Sequence, residues 1–286
     1  MPEHRLASRI EPCAFHGLPA LRLTHAGGAS ATVTLHGAHV VSWTSPAGVE
    51  QLYLSPKAVF APGQPIRGGV PVVFPQFNMR GPLPRHGFAR THAWELQDED
   101  AAACRLTLAL PAHPAIRALW PHAFACTLTV ALQDTQLALT LQVHNQGDTP
   151  LRFQAALHTY LAVGHIDSVR LDGLDASRFA DCTVAGGGAV VDHQPVQPRV
   201  PTDRIYFNAP AQLQLHSALG ALALQHDGFN DVVVWNPGDD AASCPPDLAP
   251  DGYLHFLCVE AARIGEPVEL VPGQHWSGAQ TLRAAR

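Results

Sequence analysis

Residues 124–145 read FACTLTVALQDTQLALTLQVHN. Apolar side chains recur at every second position on both sides of Gln133-Asp134-Thr135, the period of a strand rather than of a helix. A polar turn between two such runs predicts an antiparallel hairpin with one face buried. The same strand-length pattern recurs in Ala31–Trp43, Cys104–Leu110, Leu151–Val163, Ser168–Leu171, Gln212–His216, Ala221–His226, Asp231–Trp235 and Leu254–Ala262. Turn signals separate several of these runs, at Asn145–Asp148, Gly186–Gly188 and Asn236–Gly238. A helix is suggested only at Pro114–Trp120. Short strands with tight connections predict an all-β fold, an antiparallel sandwich or barrel. No internal repeat, charge run or linker marks a boundary, so residues 1–286 are expected to form a single domain. The Pro-rich stretch Cys244–Pro250 reads as a surface loop within it.

Composition narrows the function classes. The 286 residues are 47% hydrophobic and 15% charged with net charge -6, enough for a large core and too apolar for disorder. Lys57 is the sole lysine, and no basic field favours nucleic acid or an acidic membrane surface. The N-terminus lacks the apolar segment of a secretory signal, and no apolar run reaches membrane-spanning length. The six cysteines are scattered without a C-x-x-C pair, which predicts reduced core cysteines in a cytoplasmic protein. Seventeen histidines raise the question of metal. The tightest pair, His36 and His39, lies at i, i+3 on a predicted strand and so points to opposite faces. No H-x-H or H-E-x-x-H occurs, and no metal site is expected.

Two strands carry informative parity. In Leu151–Leu161, His158 shares a face with Arg152, Gln154, Ala156 and Tyr160, a polar face of the kind that lines a ligand cleft. In Leu254–Ala262, Glu260 shares a face with Leu254, Phe256 and Cys258, where desolvation would raise its proton affinity. Either residue could equally be a solvated strand-end side chain. Residues 66–94, IRGGVPVVFPQFNMRGPLPRHGFARTHAW, break the alternation with closely spaced Gly and Pro. Within this long loop stand Arg67, Gln76, Arg80, Arg85, His86 and Arg90. Four arginines in a net-negative chain are either a solvated loop or an anion site. The tight turns favour the second, because they fix the direction of guanidinium forks suited to phosphate or carboxylate.

The blocks R-G-G-V-P-V-V-F-P-Q-F (67–77) and L-P-R-H-G-F-A-R (83–90) with Trp94 resemble the hexose-6-phosphate mutarotase (glucose-6-phosphate 1-epimerase) family, in the aldose 1-epimerase-like superfamily. The likeness continues through G-A-H-V-V-S-W (37–43), A-L-W-P-H-A-F (118–124), L-H-T-Y-L (157–161), T-D-R-I-Y (202–206), N-D-V-V-V-W-N-P (230–237) and C-V-E (258–260). The blocks keep the family's order and cover nearly the whole chain. The resemblance implies a large antiparallel β-sandwich of the galactose mutarotase-like type, with its site in a concave cleft. It implies interconversion of the α and β anomers of a hexose 6-phosphate without a cofactor. His158 would be the acid and Glu260 the base, His86 would contact the sugar near its ring oxygen, and Asp203 would hold sugar hydroxyls. Arg67 and Arg90, with Arg85 as a third, would bind phosphate. Gln76 would contact the sugar or brace the loop, and Trp235 and Phe88 would stack on the sugar or belong to the core. The expected partner is a small-molecule sugar phosphate, with no nucleic acid and no membrane, and the expected state is a monomer. The competing readings are a mutarotase of unphosphorylated aldoses, which needs no arginine cluster, and a non-catalytic carbohydrate-binding module.

Overall fold

The structure, a computed structural model, describes residues 7–184, 189–198, 200–240 and 244–285. Residues 1–6 and the Gly186–Gly188 turn expected from the sequence lie outside the described residues. The hairpin forms as its alternation requires. Strand Phe124–Leu132 pairs with Gln136–Asn145 without a register break, from Phe124 opposite Asn145 to Leu132 opposite Leu137. Leu128, Val130, Leu139 and Leu141 are fully buried on one face. On one side the sheet grows outward from this hairpin through His275–Ala284, Gly220–Asp227, Gln212–Ser217 and Arg170–Asp172. On the other it grows through Arg105–Ala109 to Glu95–Asp100, giving eight antiparallel strands among the described residues.

A second eight-stranded antiparallel sheet runs Ala189–Val191, Arg178–Asp181, Thr202–Tyr206, Asp231–Asn236, Phe256–Leu270, Leu151–Leu157 and Val72–Val73, with Tyr160–Ala162 also paired to Phe256–Leu270. Phe153, Leu157, Val234 and Val259 from this sheet pack in one core with Leu128 and Leu139 from the first, so the architecture is a sandwich. A four-stranded sheet, Arg9–Phe15, Leu18–Thr24, Ser30–Thr34 and His39–Thr44 in chain order, adds Leu23, Val33 and Trp43 to that core. The central strands of the second sheet are buried on both faces at Val232–Val234 and Phe256–Ala262. Their outer face carries smaller apolar clusters, one with Val73, Ala156 and Val233 and another with Tyr160, Phe256 and Cys258. Those clusters floor the cleft described below.

Several expectations change in detail. Ala31–Trp43 is two strands, because the chain turns back through Gly37 (φ +74°) and Ala38 (φ +47°), so His36 and His39 do not share one strand. The run Leu151–Val163 is interrupted at His158-Thr159: the His158 N–H still donates to the Pro71 carbonyl, in register with Val72–Val73, but the Thr159 N–H turns back to the Leu157 carbonyl. Leu254 lies in a 3-10 turn, Gly252–His255, and its strand begins at Phe256. The helix is Pro114–Leu119, with Pro114 in its first turn and the His113 ring capping it. All six cysteines are free, but only Cys104, Cys126 and Cys258 are buried, and Cys182 is exposed.

Candidate active site

Parity places the two central residues together. Glu260 sits in strand Phe256–Leu270 opposite Val233, with its carboxyl on the outer face of the sheet. His158 follows the end of the neighbouring strand Leu151–Leu157 and reaches the same face. Its Nε2 lies 3.3 Å from Glu260 Oε1, and Glu260 is 1% exposed. The His158 ring stacks on Tyr160 with centroids 4.9 Å apart and planes 10° apart, and it meets Trp235 edge-on. Among the described residues, neither His158 Nδ1 nor Glu260 Oε2 has a hydrogen-bond partner. Burial, reinforced by Arg90, Arg67 and Arg85, pushes the His158 pKa well down. Burial, reinforced by Asp203 and opposed by Arg90, pushes the Glu260 pKa well up. Both displacements favour the uncharged pair, with a single proton on the carboxyl side of the contact.

The glycine- and proline-rich loop supplies the cations. Gly68 and Gly69 carry positive φ where the chain passes against Tyr53, Leu54 and Val40, approaches that leave no room for a Cβ. Arg67 leaves this turn with its Nε donating to Asp247 Oδ1 at 3.0 Å and its Nη1 donating to the Tyr160 hydroxyl at 2.9 Å. Burial works against its charge, but Tyr160 and Asp247 outweigh burial and hold the guanidinium above its ordinary pKa. Arg90 is pinned by donation from Nη2 to the Arg85 carbonyl, and burial lowers its pKa to about 10. Its Nε is buried without a partner among the described residues. Arg67, Arg85 and Arg90 all line the cleft that holds His158 and Glu260, a cavity of about 480 Å³, whereas Arg80 does not. The sequence-level cluster of four is therefore a working set of three.

His86 lines the same cleft, 5.6 Å from His158 between ring centroids. Its Nδ1 accepts from the Asn78 backbone N–H, so Nε2 carries the hydrogen. Burial, then the nearby arginines and His158, keep this ring neutral far below its ordinary pKa. Asp203 also lines the cleft, and burial raises its pKa against the pull of Arg85. Gln76 is not brought into this cleft. Its Nε2 donates to the Asn78 and Leu83 carbonyls and its Oε1 accepts from the Leu83 N–H, so the amide braces the loop. Phe88 is buried in the core against Phe74 and Phe124, while half-buried Trp235 forms cleft wall.

The sequence profile of the aldose 1-epimerase family matches residues 19–283. A candidate glucose-6-phosphate 1-epimerase of Cenchrus ciliaris is 33% identical over 94% of this chain and 85% of that one. The chain belongs to the aldose 1-epimerase family. A second candidate glucose-6-phosphate 1-epimerase, from Escherichia coli K12, is 35% identical over 90% of this chain and 87% of the relative. The crystal structure of a candidate mutarotase from Salmonella typhimurium superposes with a TM-score of 0.85 at 32% identity, covering 97% of this chain and 94% of that one. The protein is thus an isomerase of the mutarotase type.

Two features of this aldose 1-epimerase escape a reading of its sequence. The Pro-rich stretch is more than a surface loop: Cys244, Pro245 and Pro246 wall the cleft, and Asp247 behind them holds Arg67. Asn78 and Phe77, which lie in the arginine loop, also line the cleft. The proline density of 245–250 was the one signal available for the first of these, since a stiffened segment holds its shape at low entropic cost. No helix among the described residues is long and apolar enough to cross a membrane. No group of three or more His, Cys, Asp or Glu among them is placed to hold a metal ion.

Proposed function

We propose that this aldose 1-epimerase interconverts the α and β anomers of a hexose 6-phosphate, glucose 6-phosphate foremost. The observation that carries this reading is the presence of three arginines and the His158–Glu260 pair in one cleft. A neutral sugar has no use for three guanidinium groups, whereas a phosphate dianion matches their charge and fork geometry. The names of the relatives point the same way. The phosphate lies against Arg67, Arg85 and Arg90, and the ring extends past His86 toward His158. Asp203 takes sugar hydroxyls on the far side, and Trp235 offers an apolar face to the ring carbons.

Anomerisation needs one proton removed from the C1 hydroxyl and one delivered to the ring oxygen. Glu260 accepts the first and His158 donates the second; the ring opens, the C1–C2 bond turns, and the roles reverse on closure. Neutral His86, with its hydrogen on Nε2, donates to an oxygen and leaves the proton transfers to the pair. Positioned acid–base groups contribute about 10²–10⁴-fold each. Exchange NMR on glucose 6-phosphate tests the assignment: Glu260→Gln is expected to lose at least about 10²-fold in kcat. Arg67→Ala is expected to raise KM for glucose 6-phosphate about tenfold or more and to leave KM for glucose nearly unchanged. Near-wild-type anomerisation in Glu260→Gln would remove the acid–base reading, and equal handling of both sugars by the wild type would remove the phosphate reading.

A further inference from the structure

The cleft arranges charge around its acid–base pair with a consistent asymmetry. His158 faces Glu260 from the adjoining strand, Tyr160 on its own segment, and His86, Arg85 and Arg90 from the glycine–proline loop, with Arg67 at the loop's start. Glu260 faces His158, Asp203 and Arg90. Burial comes first in holding both groups neutral; the arginines, Arg67 itself paired with Asp247, add to it at His158, whereas at Glu260 Asp203 adds to it and Arg90 opposes it. A direct physical path joins the two regions: Arg67 donates to the Tyr160 hydroxyl, and the Tyr160 ring lies flat on His158. In the free protein this surrounding favours the proton on Glu260, which is the wrong place for a base that must receive one and an acid that must give one.

We propose, building on the function above, that an oxyanion held by Arg67, Arg85 and Arg90 arms the pair by moving one proton from Glu260 to His158. The Glu260 Oε1–H bond breaks and a His158 Nε2–H bond forms across the 3.3 Å contact, with no proton exchanged with solvent. The dianion offsets the arginine field that adds to burial in keeping His158 neutral, a field that reaches the ring along the Arg67–Tyr160–His158 contact. One event creates carboxylate base and imidazolium acid together. The phosphate of the substrate is then an activator as well as a handle, and a detached oxyanion should activate the enzyme toward a neutral aldose.

Sulfate is the probe, because it is a dianion too weakly basic to anomerise sugars itself. Sulfate is titrated into the full-length protein, and the infrared carboxylic-acid C=O band is followed, assigned by its absence in Glu260→Gln. If that variant does not fold, the ¹⁵N shifts of the His158 ring in the wild type report the same transfer. In parallel, exchange NMR measures enzyme-dependent anomerisation of glucose with and without sulfate, and of glucose 6-phosphate with sulfate as competitor. The inference expects sulfate to compete with glucose 6-phosphate, to abolish the protonated-carboxyl band and to raise glucose turnover several-fold. Competition with the band retained, or with glucose turnover unraised, overturns the inference and leaves the proposed function standing. Failure of both sulfate and glucose 6-phosphate to bind overturns the two together.

Discussion

Buried histidines outside the acid–base pair set the acid tolerance of the molecule one residue at a time. His39 is fully buried, its Nε2 donating to the Gly68 carbonyl at 2.7 Å, and burial lowers its pKa to about 3. Its unfolded value is about 6.5. Between these two values the unfolded chain binds the proton and the folded one does not. The stability that depends on neutral His39 is thus complete above about pH 6.5 and is lost as pH falls toward the folded value, at up to about 1.4 kcal/mol per pH unit. Urea denaturation at pH 7, 6 and 5 should show this decline. His39→Gln keeps a donor for Gly68 and should flatten the curve by the equivalent of about one proton. A curve of unchanged steepness would show that His39 is not the group responsible.

At the scale of elements, the glycine–proline loop depends on close backbone approach. Gly87 has φ +72° and forms a parallel bridge with Phe74, and an added Cβ would lie 2.1 Å from the Phe74 carbonyl oxygen. Gly87→Ala should therefore cost about 2–4 kcal/mol. It should also raise KM for glucose 6-phosphate by displacing its neighbour His86, as thermal unfolding and exchange NMR would show. Gly63, also at positive φ but with nothing within 4 Å of an added Cβ, is the control. Gly63→Ala should cost only about 1 kcal/mol and leave KM unaltered. The elements also show what period-two reading can and cannot find. It finds Phe124–Asn145 because those strands bury one face and must alternate. It misses Glu95–Asp100, an edge strand with five of its six residues exposed, where no core imposes a pattern. It merges Ser30–Thr34 with His39–Thr44 because both are buried and the turn between them holds one glycine. His158 and Glu260 were legible because strand parity and the block motifs agree on them. The role of Asp247 was not, because it meets Arg67 from 180 residues away in sequence through tertiary packing alone.

For the molecule as a whole, we propose that the chain folds as one cooperative unit. Residues from all three sheets share a single core cluster, from Leu23 and Trp43 through Leu139 to Leu282. Far-ultraviolet circular dichroism and tryptophan fluorescence should then trace one coincident urea transition. Leu139→Ala should lower it by about 2–5 kcal/mol without splitting it; two separated transitions would refute the proposal. The net charge of -6 and the cationic cleft are compatible because both charges of the Arg67–Asp247 pair are largely enclosed, along with Arg90. The tryptophans have a use beyond packing. Trp43 and Trp94 are sealed in the core and Trp120 and Trp276 lean against it, whereas Trp235 is the tryptophan lining the cleft, 5.8 Å from the His158 ring. An imidazolium quenches indole emission more strongly than a neutral imidazole does. The protein thus carries a built-in optical gauge of its own acid: emission from Trp235 should dim as His158 gains its proton, so that stopped-flow fluorescence could time that step without any label.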